Sequence, residues 1–160
     1  MNKVFGKKEC YAPVREDASR VIVSYGFNEE TDGANATWLE IYFYKKQGRP
    51  DFKRARQAIL EDINDQTREK IISGFVWNGK PVWLSVENQL NFAQGVAPVT
   101  FKIGETAEGE PVYHEFATDK ELAAFWKECA QWRQQCLDEG NRRKESFDFT
   151  PYEQELKIED

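Results

Sequence analysis

Apolar positions along this chain fall into two rhythms, one of strands and one of helices. RVIVSYGF (20–27) and TWLEIYFYKK (37–46) are β-branched and aromatic runs on either side of the polar, turn-rich NEETDGANA. They predict an antiparallel pair joined by a nine-residue loop. In the second run Leu39, Ile41 and Phe43 share one face, while Trp38, Glu40, Tyr42 and Tyr44 share the other. The first face reads as core and the second as an aromatic face that carries charge. Gly48 and Pro50 then break the strand, and Asp51 can cap a helix from Phe52 whose stripe is Phe52, Ala55, Ile59 and Ile63, with Leu60 beside it. A short linker follows.

Around Asn78-Gly79 lies the next unit, GFVWNGKPVWLS (74–85). Asn-Gly between apolar runs predicts a two-residue hairpin turn of type I′, which needs φ > 0 at both centres. Pro81 cannot donate to a strand ladder, so its strand is an edge or turns its nitrogen away from the partner. Ser85 reads as the N-cap of a helix in which Val86, Leu90 and Ala93 recur at helical spacing, with Gly95 as its stop. VTFKIG and PVYHEF form a third hairpin, and TDKE (118–121) is a capping-box pattern. The helix it opens is expected to bury Leu122, Phe125, Cys129, Trp132 and Cys136 and to end at Gly140.

The fold class that results is α+β, with successive antiparallel β-hairpins each followed by a helix in a single compact domain with extended termini. Residues 1–18 read as an N-terminal arm, 19–140 as the domain of three hairpin-helix units, and 141–160 as a C-terminal arm that orders only by docking. A chain of 160 residues with 40% hydrophobic and 14% aromatic content suits one core. The net charge of −6 weighs against a protein devoted to polyphosphate binding, and no window approaches the roughly 20 apolar residues of a membrane span. The start has no apolar signal core, so export through a cleavable signal is not expected.

Few residues offer reaction chemistry. Cys10, Cys129 and Cys136 form no CxxC pair. On one helix the last two would sit about 10 Å apart, too far for a disulfide, and free thiols are expected. His114 is the single histidine, so a zinc site or a Cys-His nucleophile would need distant cysteines brought to it. No catalytic residue, cofactor or metal ligand is expected. Lys45, Lys46, Arg49, Lys53, Arg54 and Arg56 make the one dense basic run, read first as a solvated face or a site for an acidic protein partner and second as a nucleic-acid contact. Trp77 and Trp83 could present rings to a ligand, but their uneven distance from the turn favours packing. Asn88 or Gln89 is expected to bridge helix to hairpin backbone, since an amide can donate and accept at once.

The block TREKIISGFVWNGKPVWLSVENQLNFA, followed by the FKIG strand and the long aromatic helix, resembles a family of uncharacterised bacteriophage and prophage domains associated with tail or tail-fibre genes. Ile71, Gly74, Phe75, Trp77, Gly79, Trp83, Ser85, Asn88 and Gln89 carry the likeness, which extends loosely over residues 37–140. It implies a non-enzymatic structural or assembly protein of the tail or tail-fibre region, in the virion or in the bacterial cytoplasm during assembly. Partners are then other phage structural proteins or further copies of the chain. The residues expected to reach them are Tyr42, Tyr44, Lys45, Lys46, Arg49, Lys53, Phe147, Phe149 and Tyr152. Gly74, Trp77, Asn78, Gly79, Trp83, Ser85, Asn88 and Gln89 are expected to specify the fold. The rival reading is a carbohydrate-recognition module using surface aromatics.

Overall fold

The computed structural model describes residues 2–157. It is α+β as expected, and it divides into two compact units, residues 2–62 with 146–157 and residues Ile63–Glu145.

The first unit is built on a four-stranded antiparallel sheet. Its strands are β1 (Asn2–Lys7), β2 (Val14–Glu16), β3 (Arg20–Glu29) and β4 (Asn35–Tyr44), in the spatial order β1-β4-β3-β2. The central pair is the expected hairpin, but its strands reach further toward the turn than the sequence suggests. Asp32 is the cause: its carboxylate accepts the amides of Ala34 and Asn35 at 2.9 Å each, and the turn closes within a few residues. Much of the expected N-terminal arm is sheet, because β1 pairs with β4 from Asn2↔Glu40 to Lys7↔Asn35 and β2 pairs with β3.

Helix α1 (Phe52–Ser73) starts where expected, with the Asp51 carboxylate accepting the Arg54 amide at 2.7 Å. Its buried Ala55 and Ile59 belong to the first unit with Val21, Val23, Tyr25 and Phe43. The Arg54 guanidinium lies 5.2 Å from the Phe43 ring centre, and the Tyr25 hydroxyl donates to Asp62. The short linker expected before Gly74 is helical instead, since Ile71 continues the apolar stripe and is buried. The expected C-terminal arm divides: residues 141–145 continue the preceding helix, and α4 (Thr150–Glu155) buries Tyr152, whose hydroxyl donates to the Ser24 carbonyl at 2.7 Å.

In the second unit β5 (Phe75–Trp77) and β6 (Lys80–Val82) pair with Trp77 opposite Lys80, and the turn between them has φ 48° at Asn78 and 74° at Gly79. Both values are positive, as the type I′ expectation requires. Helix α2 (Val86–Gln94) is capped by Ser85, whose hydroxyl accepts the Asn88 amide at 3.2 Å. Strands β7 (Val99–Glu105) and β8 (Pro111–Phe116) form the third hairpin, and α3 (Asp119–Glu145) follows it. Thr118 Oγ1 accepts the Glu121 amide at 3.2 Å, but Glu121 Oε2 accepts from Ala117 rather than Thr118. The core is aromatic, with the Trp77 and Phe125 ring centres 4.8 Å apart and those of Phe92 and Phe125 5.1 Å apart.

Gly140 does not end α3 as expected. It is buried inside the helix, where an added Cβ would press on the Thr67 side chain of α1. The glycine is there for close helix approach. Gly95 likewise has φ −64°, and a Cβ there would meet the Phe101 ring at 2.8 Å. It serves packing, not a left-handed cap.

Candidate functional site

Helix α2 is short and turns only one large residue inward, Phe92, which meets the Phe101 ring at 5.4 Å. Two amides fasten it from the side: Asn88 Nδ2 donates to the Trp83 carbonyl at 2.9 Å and Gln89 Nε2 to the Leu84 carbonyl at 2.7 Å. Both bridges are of the kind expected for these residues. Because Phe92 and the amides fix the helix, the stripe of Val86, Leu90 and Ala93 is left facing outward. Val86 is 75% exposed and Leu90 54%.

That stripe forms one wall of a groove of about 450 Å³ in the second unit. Ile71 and Ile72 of α1, Leu84 before α2, and Trp126 of α3 complete its apolar lining. Charge enters only as Arg68 and Arg133, and no Asp or Glu lines it. Arg68 pairs with Asp65 at 2.8 Å across two well-exposed side chains, and Arg133 has no salt-bridge partner among the described residues. The groove therefore combines an uncovered hydrocarbon surface with a basic rim on a chain of net negative charge.

A second cluster lies in the first unit. Glu40 is 2% exposed, on the β4 face expected to be aromatic and charged; Trp38 and Ile22 are buried with it, whereas Leu39 and Ile41 of the expected core face are half-buried. Trp38 Nε1 donates to Glu40 Oε1 at 2.8 Å, the Tyr42 hydroxyl to Oε2 at 2.9 Å, and Arg15 pairs with Oε1. Burial alone would raise the carboxyl pKa, but these donors and the Arg15 charge reverse it, and the group sits below its ordinary value. Ser24, opposite Glu40 across the strand pair, has a buried hydroxyl without a partner among the described residues.

His114 is held on both sides. The Lys80 ammonium can only donate, and lies 3.4 Å from Nδ1, so Nε2–H is left to donate to Glu121 Oε1 at 3.2 Å. Ring centres of Trp77 and Phe116 lie 4.8 and 4.6 Å from the imidazole. The bond from His114 and then that from the Ala117 amide hold Glu121 below the ordinary carboxylate range. Burial, with the Glu128 charge adding to it, pushes the Cys129 thiol up to about 12, and Cys136 is raised chiefly by burial. No cluster of three or more metal-ligating side chains occurs among the described residues.

The residues expected to meet a partner are not one surface. Glu16 takes Lys45 at 2.9 Å and Arg49 at 3.2 Å, and its carboxyl is held low by the Lys45 bond above all. Lys46 lies over the exposed Tyr44 ring, Tyr42 is committed to Glu40, and Lys53 is exposed. Phe147, Phe149 and Tyr152 pack within the first unit, with the first two ring centres 4.5 Å apart, so they anchor the chain instead of reaching outward.

Among the residues expected to specify the fold, Trp77 is core, and Gly74 ends α1 where a Cβ would meet the Trp132 ring at 3.0 Å. Trp83 departs from expectation. Its backbone amide donates to the Ile103 carbonyl at 2.7 Å, yet the residue is 40% exposed. Pro81 and Trp83 alternate with the inward-facing Val82, which turns the tryptophan toward solvent.

Sequence reasoning misses the groove because helical spacing identifies an apolar stripe but not which side of the helix is covered. Phe92, outside the stripe and the largest residue of α2, is the available signal. No protein-family model, curated protein or solved structure matches the chain. No helix among the described residues is long and apolar enough to cross a membrane.

Proposed function

We propose that this chain is a non-enzymatic protein that works by protein–protein contact through the apolar groove of α2, α3 and the end of α1. The resemblance of the 67–93 block to phage tail-associated domains suggests the setting: assembly or structure of the tail or tail-fibre region, in the virion or in the bacterial cytoplasm. The outward stripe of Val86, Leu90 and Ala93 is the observation that carries the contact reading, since an uncovered apolar surface is stabilised by docking. Occupied chemistry supports it as well. Glu40 is engaged by three donors, His114 is held by two partners, and the buried Cys129 thiol is poorly ionised.

Co-expression with phage tail and tail-fibre proteins tests this reading. A complex should co-purify and should be lost in Leu90→Asp, whose exposed site leaves the fold intact. A complex unaffected by Leu90→Asp, or no complex with any of them, counts against it.

Exposure of Trp83 favours one second reading, carbohydrate recognition, because a solvent-facing indole can stack on a sugar ring. Glycan-array binding abolished in a folded Trp83→Ala variant would put that reading first. A silent array leaves docking ahead.

A further inference from the structure

The groove's charge says more about its occupant than its shape does. We propose that it binds an amphipathic segment of a partner protein whose apolar anchors are flanked by Asp or Glu. This rests on the docking reading above. Val86, Leu90, Ala93 and Trp126 offer hydrocarbon to apolar side chains, and about 450 Å³ holds a few of them. The ionic groups within reach are the guanidinium groups of Arg68 and Arg133, one with a solvent-exposed partner and the other with none among the described residues. Arginine is suited to a carboxylate because its planar fork of donors matches the two oxygens.

Two alternatives fit less well. A basic segment would set like charges against the rim. A second copy docked groove to groove would set the arginines of the two rims against each other across a twofold contact.

The test uses three synthetic helical peptides with leucine at the same i, i+3, i+4 and i+7 positions and flanks of glutamate, glutamine or lysine. Binding to the full chain is measured by calorimetry and mapped by amide chemical shifts. The glutamate peptide is expected to bind at the groove about three- to tenfold more tightly than the glutamine peptide, the range of one or two exposed ion pairs, and the lysine peptide more weakly. The preference should shrink in about 1 M salt, where the Debye length falls to roughly 3 Å. Arg133→Glu should reduce or invert the order, while Leu90→Asp should abolish binding of all three without altering the melting temperature.

Equal binding of all three peptides overturns the acidic-segment inference and leaves docking intact. A charge preference that survives Arg133→Glu overturns it in the same way. Concentration-dependent dimerisation blocked by Leu90→Asp replaces the partner segment with a second copy. If no peptide binds at millimolar concentration and the chain stays monomeric, both the inference and the docking reading fail.

Discussion

Glu40 is charged at a position where a charge is costly, and three donors make it tolerable. Removing the charge while keeping the shape should be expensive, because Arg15 loses its anionic partner and the bonds from Trp38 Nε1 and the Tyr42 hydroxyl lose their charge assistance. Glu40→Gln is expected to lower stability by about 2 kcal/mol at neutral pH, read by chemical denaturation. Its pH dependence has a definite sign. The folded pKa is below the ordinary 4.5, so the carboxylate's contribution is complete above that value and is lost as pH falls through the folded one. The native chain should lose stability across that acidic window more steeply than Glu40→Gln, and parallel curves would refute the assignment. Among the thiols, Cys10 is exposed while Cys129 and Cys136 are buried with raised pKa values. A thiol reagent should therefore titrate one cysteine in the folded chain and all three after denaturation.

Elements in the second unit are fixed by a few joints. The Ser85 hydroxyl caps α2 and the Asn88 amide ties it to the strand end, so the two act on one joint from different directions. Ser85→Ala and Asn88→Ala should each cost about 1 kcal/mol, and as neighbours their effects should not add. A double-mutant cycle checks this, with strict additivity as the contrary result. The helices α1 and α3 meet at Gly140 and Thr67, with Lys70 and Glu139 paired at 2.6 Å close by. Gly140→Ala is expected to destabilise by about 1–3 kcal/mol, because its Cβ would drive into Thr67. Thr67→Ala should recover part of that loss in the double variant. If Gly140→Ala is neutral or stabilising, the helix propensity of alanine outweighs the contact.

For the whole molecule, local rules carried most of the fold. The Asn78-Gly79 turn, the Ser85 cap and the Asp51 cap are decided by neighbours within a few residues, and each was legible in the sequence. Decisions made by residues far apart were not. Gly140 looks like a stop until Thr67, from another helix, is known to face it. The burial of Glu40 depends on Arg15 arriving from β2, in a stretch whose sequence suggests an arm. Val86 and Leu90 carry the right spacing for a core and face solvent because Phe92 occupies the inward side. Chain order has a consequence of its own. The second unit lies between the two segments of the first, and its ends meet, with Lys144 Nζ donating to Asn64 Oδ1 at 2.9 Å. During synthesis the β1–β4 strands emerge first, but Tyr152, which helps complete the core of their unit, emerges among the last. All residues of the later-emerging unit are therefore synthesised before Tyr152 and Leu156, the last buried residues of the earlier one.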